Sequence, residues 1–155
     1  PNLAGALGRI GEGLSSMHRR QASMAMLLAR FEGRHVQLAS AGMPPVLVWR
    51  RASGAVEEVM LPSVPLATLA DVRFNETQID LREGDSVLLM TDGLAEVANP
   101  DGDLLGYERA TRFFSEVADL EPESAIERLL ELAADYNEGT PLQDDMTLMV
   151  LKAQA

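Results

Sequence analysis

The chain has 155 residues, 46% hydrophobic and 24% charged, enough for one domain with its own core and ordinary for a globular protein. Its formal net charge of −11 disfavours nucleic acid and anionic lipid as partners, because like charges repel at long range. It has no cysteine, which excludes disulfides, thiolate zinc sites and any cysteine nucleophile.

A cysteine-free acidic domain fits the cytoplasm. The sequence contains no apolar run of the roughly 18 residues that a membrane span needs, so direct membrane insertion is not expected. It opens on Pro1 rather than Met and carries no signal-peptide pattern, so it reads as an excised piece of a longer protein. The two basic clusters, His18-Arg19-Arg20 and Arg50-Arg51, read as solvated turns or strand ends.

Leu3, Leu7, Ile10, Leu14 and Met17 recur at helical spacing and predict an amphipathic helix over 2–17. Gly5, Gly8, Gly11 and Gly13 weaken it and read as sites of close helix packing, since neither G-x-G-x-x-G nor Gly-Lys-Ser/Thr occurs there. Residues 24–31 and 35–40, around Glu32-Gly33-Arg34, predict a hairpin. After Ala41-Gly42-Met43-Pro44-Pro45, residues 46–50 and 56–60 predict a second hairpin around Ala52-Ser53-Gly54. A Pro-punctuated loop over 61–66 precedes a strand over 72–81, which ends at the turn Glu83-Gly84-Asp85.

Residues 86–90 are apolar with little alternation, as in a strand buried on both faces. Residues 107–118 predict a helix, and Glu121-Pro122 opens another, whose buried stripe is Ile126, Leu129, Leu130, Ala133 and Tyr136 and whose end is Asn137-Glu138-Gly139. Residues 146–151 form a last apolar strand, expected to insert among the earlier strands. One helix, about six strands, two helices and a strand predict an α+β fold with mainly antiparallel sheet in a single domain over 1–155.

Two places carry acids that could do chemistry. Asp92 follows strand 86–90, and Gly93 lets the backbone turn there. Asp144-Asp145 stand before the last strand. Taken singly, Asp92-Gly93 also reads as a turn and Asp144-Asp145 as a solvated loop. Taken together, antiparallel pairing of the two strands would bring both ends to one sheet edge, and two carboxylates there suit a hard divalent ion such as Mg²⁺ or Mn²⁺. Asn99-Pro100-Asp101-Gly102-Asp103 opens like a calcium loop, but Leu104 and Ala110 stand where Gly and Glu are needed. His18 and His35 share no element and read as surface or edge residues, and Met24, Met26, Met43, Met146 and Met149 read as core filling.

Five segments in order resemble the motifs of the SpoIIE/RsbU-type phosphatases, of the PPM class of metal-dependent protein phosphatases. They are Ala39-Ser40-Ala41-Gly42-Met43-Pro44-Pro45, Leu81-Arg82-Glu83-Gly84-Asp85, Leu88-Leu89-Met90-Thr91-Asp92-Gly93-Leu94-Ala95-Glu96, Leu105-Gly106-Tyr107-Glu108-Arg109 and Asp144-Asp145-Met146-Thr147. The resemblance implies two antiparallel sheets packed face to face with helices outside, and a two-metal Mn²⁺ or Mg²⁺ centre at one edge. It implies Asp92 and Asp144 as metal ligands and catalytic residues, Gly93 for a tight turn, Asp145 behind the ligands or ordering the loop, and Thr147 as structural. It implies hydrolysis of phosphoserine or phosphothreonine by a metal-activated water, with no phosphoenzyme.

The implied substrate is a phosphorylated regulatory protein of the anti-sigma-factor-antagonist type. The alternative is a non-catalytic partner-switching module that binds a regulator through a degenerate phosphatase fold. The family's Asp-x-x-Gly-His-Gly-like segment, whose Asp bridges both metals, does not occur here. The N-terminal part of the domain is therefore expected to be missing, and this piece alone to be weak or inactive. Sheet edges exposed by such a truncation tend to pair, which leaves a homodimer open.

Overall fold

The structure, a computed structural model, describes residues 2–17 and 23–154. His18-Arg19-Arg20 lie outside the described residues. The elements run α1 (Leu3–Ser16), β1 (Met26–Glu32), β2 (His35–Ala41), β3 (Val46–Arg50), β4 (Ala55–Val59), β5 (Glu76–Asp80), β6 (Ser86–Met90), a 3-10 turn (Asp92–Leu94), α2 (Gly106–Val117), α3 (Pro122–Asn137) and β7 (Leu148–Lys152). The chain divides into two compact units, 1–43 with 60–81, and 44–59 with 82–155. All strand pairs are antiparallel, as the run of strands before helices predicts.

The first unit holds the sheet β1-β2-β5 and α1. The Asn2 side chain caps α1 by accepting from Gly5 N at 2.9 Å, and Glu76 on β5 accepts from Leu3 N and Ala4 N at 2.9 and 3.2 Å. These bonds satisfy donors that a helix start otherwise leaves open. Leu7 buries itself with Ala39, Ala41 and Leu66, and Leu3, Ile10 and Leu14 pack around them, so the predicted stripe faces the core. Met17, at its end, is exposed.

The glycines of α1 do less than predicted. A Cβ on Gly11 would touch Leu66, but one on Gly8 or Gly13 would meet nothing within 4 Å among the described residues. Strand β5 is shorter than the predicted 72–81. Residues 67–75 loop instead, with Ala67 and Asp71 at φ of 61° and 55°, and Phe74 packs on the core from outside the strand. His35 is a surface residue as expected, exposed at the start of the central strand β2 and paired with Asp80 of β5.

The second unit holds the sheet β4-β3-β6-β7 with α2 and α3. Its core joins Leu47, Trp49, Leu88 and Val150 of the sheet to Phe114 of α2 and Leu129 of α3. Val48 and Val87, on the other face, are also buried, which explains the missing alternation in β6. Strand β7 does not insert among the earlier strands. It pairs with β6 and ends the sheet order, and it spans Leu148–Lys152 rather than 146–151.

In α3 the buried stripe is Ala125, Leu129 and Ala133. Leu130 is 47% exposed, and Met149 on β7 is 52% exposed rather than core filling. The basic pair Arg50-Arg51 is not simply solvated. Arg50 lies half-buried at the end of β3, with ion pairs to Asp85 at 3.0 Å and Glu57 at 2.8 Å.

Candidate metal centre

The register of β6 and β7 decides what stands beside Asp92. Met90 pairs with Leu148, so the residues after β6 meet the residues before β7. Thr91 continues the contact. Its N donates to Thr147 O at 3.1 Å, and its hydroxyl donates to Asp145 O at 3.3 Å while accepting from Thr147 N at 3.0 Å. One half-buried threonine thus ties the Asp92 turn to the Asp144-Asp145 loop.

Gly93 acts by close approach rather than by a special φ. A Cβ there would lie 2.4 Å from Asp145 O and 3.0 Å from Met146 Cα, against main chain that cannot swing aside. Gly93 and Leu94 are buried while Asp92 itself is exposed. The 3-10 turn therefore anchors in the core and leaves its first carboxylate in solvent. Glu96 N closes this segment on Asp92 O at 3.0 Å.

Asp144 and Asp145 are both exposed. Asp145 N donates to Asp144 Oδ1 at 2.7 Å, so Asp145 orders the neighbouring carboxylate through its main chain. Thr147 lies one residue before β7 and serves the clamp with both of its main-chain polar groups. The loops bearing Asp92 and Asp144 thus share one end of the β6–β7 ladder.

The start of α2 belongs to the same neighbourhood. Leu105 N donates to Val97 O at 2.7 Å and Gly106 N to Ala95 O at 2.8 Å, which fixes Tyr107 beside the turn. Burial raises the Tyr107 pKa, and the Asp92 and Glu96 carboxylates raise it further. Sequence reasoning singled out neither Thr91 nor Tyr107. The signal for Thr91 was a hydroxyl between a buried strand and a candidate acid. The segment 99–103 forms a local turn in which Asn99 Oδ1 accepts from Asp103 N at 2.8 Å.

Carboxylate oxygens are the donor type that a hard divalent ion selects. Neither Asp92 nor Asp144 forms an ion pair with a described cation. Among the described residues no group of three or more His, Cys, Asp or Glu gathers tightly enough to hold an ion unaided. Mg²⁺ commonly binds through one or two carboxylates and retains several waters, so the pair fits as part of a centre.

The family model for stage II sporulation protein E (SpoIIE) matches residues 1–154. No curated protein matches the chain. Among solved structures, the SiaA-PP2C domain of Pseudomonas aeruginosa is 20% identical with a TM-score of 0.85, the alignment covering 97% of this chain and 61% of that one. The manganese-soaked phosphatase domain of SpoIIE from Bacillus subtilis is 15% identical with a TM-score of 0.67, covering 99% and 68%. The RsbU and RsbW domains of Rv1364c from Mycobacterium tuberculosis are 23% identical with a TM-score of 0.76, covering 100% and 43%. The chain therefore spans about three fifths of the SiaA domain's length, and at these identities the likeness shows the fold. With antiparallel sheets flanked by helices and a family match along nearly its whole length, this chain belongs to the SpoIIE family of PPM-type phosphatase proteins.

Proposed function

We propose that this chain carries two metal-ligating residues of a PPM-type protein serine/threonine phosphatase, Asp92 and Asp144. In a chain that also supplies the family's upstream bridging Asp, it hydrolyses a phosphoserine or phosphothreonine. The observation that carries the reading is the antiparallel pairing of β6 with β7, which brings the two acid-bearing loops to one sheet end. The substrate is a phosphorylated cytoplasmic regulator of the anti-sigma-factor-antagonist type. The occurrence of RsbU and RsbW domains together in the Mycobacterium tuberculosis relative supports such a partner.

Asp92 and Asp144 would hold Mn²⁺ or Mg²⁺. Such an ion, when bound, acidifies water and offsets charge on phosphoryl oxygens. The chain's own part is positioning. Thr91 fixes the spacing of the two loops, Gly93 permits their approach, and Asp145 N orients the Asp144 carboxylate through Oδ1. Among the described residues Oδ2 of Asp144 has no hydrogen-bond donor and remains available to an ion.

Mn²⁺ added to the chain should lose part of its free-ion electron paramagnetic resonance signal, with weak affinity, and Asp92→Asn should abolish that loss. The chain should hydrolyse p-nitrophenyl phosphate poorly, and a chain with the upstream acid should hydrolyse it well. Tight Mn²⁺ binding that survives Asp92→Asn would remove the ligand assignment. A regulator-binding module without turnover would bind its partner yet leave p-nitrophenyl phosphate intact in the longer chain as well.

A further inference from the structure

A concavity in the second unit opens directly beside Asp144. Leu130, Leu142, Gln143, Asp144, Asp145 and Met146 line it. Leu130 is 47% and Leu142 59% exposed, so two large apolar side chains face solvent next to the acid that the proposed centre uses. Isolated exposed leucines need no explanation, but a hollow lined by Leu130, Leu142 and Met146 together with two carboxylates is the kind of mixed surface where contacts occur. The fold builds it deliberately: Glu138 ends α3 in the left-handed conformation at φ 49°, and the chain then returns through Leu142 past Leu130.

The helix that carries Leu130 is acidic on its exposed residues. Glu127, Glu131 and Asp135 of α3 and Glu138 just past its end are all exposed, and Arg128, the one basic residue of that helix, is paired with Glu131 at 2.8 Å. Exposed leucines lining a hollow with Asp144 and Asp145, on a chain end rich in carboxylates, favour a partner that combines an apolar side chain with a cation.

We propose that this hollow docks the residues flanking the phosphorylated side chain of the substrate protein, taking an apolar residue between Leu130 and Leu142 and a Lys or Arg against the acids of α3. The proposal rests on the phosphatase reading, because its occupant is the substrate of that centre. Docking beside Asp144 would place the phosphoryl group at the β6–β7 end and make the flanking sequence, not only the phosphate, a determinant of selection.

Fluorescence anisotropy of the whole chain with short labelled phosphothreonine peptides tests this. A peptide with Leu and Lys flanks should bind roughly tenfold tighter than one with either the Leu changed to Ser or the Lys changed to Glu, since burying one leucine is worth about that factor. Leu130→Ser with Leu142→Ser should erase the leucine preference while leaving Mn²⁺ affinity unchanged, which also shows that the variant folds. Equal binding of the three peptides, no binding of any, or a preference untouched by the double variant would overturn the proposal. Asp92→Asn should lose Mn²⁺ and keep the leucine preference. If wild type binds no Mn²⁺ yet shows the preference, the docking hollow stands and the metal assignment falls.

Discussion

Strand β6 has an aspartate just outside each end, and the two live in opposite environments. Asp85, before Ser86, is 1% exposed. Its carboxylate accepts from Arg50 at 3.0 Å, Arg51 N at 3.1 Å and Arg82 N at 3.0 Å. Asp92, beyond Met90, is exposed and has no ion pair with a described cation. A carboxylate saturated by the protein's own donors is structural, because nothing is left for a ligand. One held rigidly at its main chain, with its oxygens in solvent, is available for chemistry.

The sharpest way to break this contrast is to remove each acid. Asp85→Ala should cost about 3 kcal/mol of stability, since Arg50 keeps only Glu57 and the Arg51 and Arg82 amides lose their buried acceptor. Asp92→Ala should stay within about 0.5 kcal/mol, as surface changes do. Urea unfolding of both variants checks this, and equal losses would erase the distinction.

Gly93→Ala tests the close approach at the functional end. Its methyl would collide with Asp145 main chain, so a loss of about 2 kcal/mol and weaker Mn²⁺ binding are expected together. Thr91→Val keeps the shape and removes the hydroxyl that bridges Asp145 O and Thr147 N. It should cost about 1 kcal/mol, and Thr91→Ser should restore most of it.

The smallest effect is in pH dependence. Burial raises the Asp85 pKa, but the hydrogen bonds from Arg82 N, Arg50 and Arg51 N, with the Arg50 charge, outweigh it and hold the carboxyl below its ordinary 3.8. Native Asp85 therefore binds fewer protons than unfolded Asp85 between the two pKa values, and stability rises with pH there. This contribution is complete above about pH 4 and is lost as pH falls through the native value. Thermal melts over that range should show a shallower acid slope for Asp85→Asn than for the unchanged chain.

The sequence made one of these ends legible and hid the other. Asp92 stood out because it follows an unbroken apolar strand, and Asp144 because it precedes one; antiparallel pairing did the rest. Asp85 passed as a turn residue, and Arg50 as part of a solvated basic pair, since a buried ion pair 35 positions apart leaves no periodic trace. The turn at Gly93 is legible in the sequence, but the close approach that demands glycine there joins segments distant in sequence and cannot be read locally.

Hairpins and helices, by contrast, followed from local pattern. β3 and β6 have the predicted bounds, while β5 lost four residues to a loop whose Phe74 mimics strand alternation. The same limit applied to Leu130. Helical spacing placed it on the buried stripe, but α3 presents Ala125 to the core instead, and Leu130 turns to the hollow beside Asp144.

The central claim is that Asp92 and Asp144 grip one and the same ion. A double-mutant cycle on Mn²⁺ affinity, with Asp92→Asn, Asp144→Asn and both together, tests it most directly. Each single change should lower affinity at least about tenfold, and the double variant should bind little worse than either single, because the shared ion is already lost. Unchanged affinity in either single variant, or losses that simply add, would place the two carboxylates in separate roles and contradict the account.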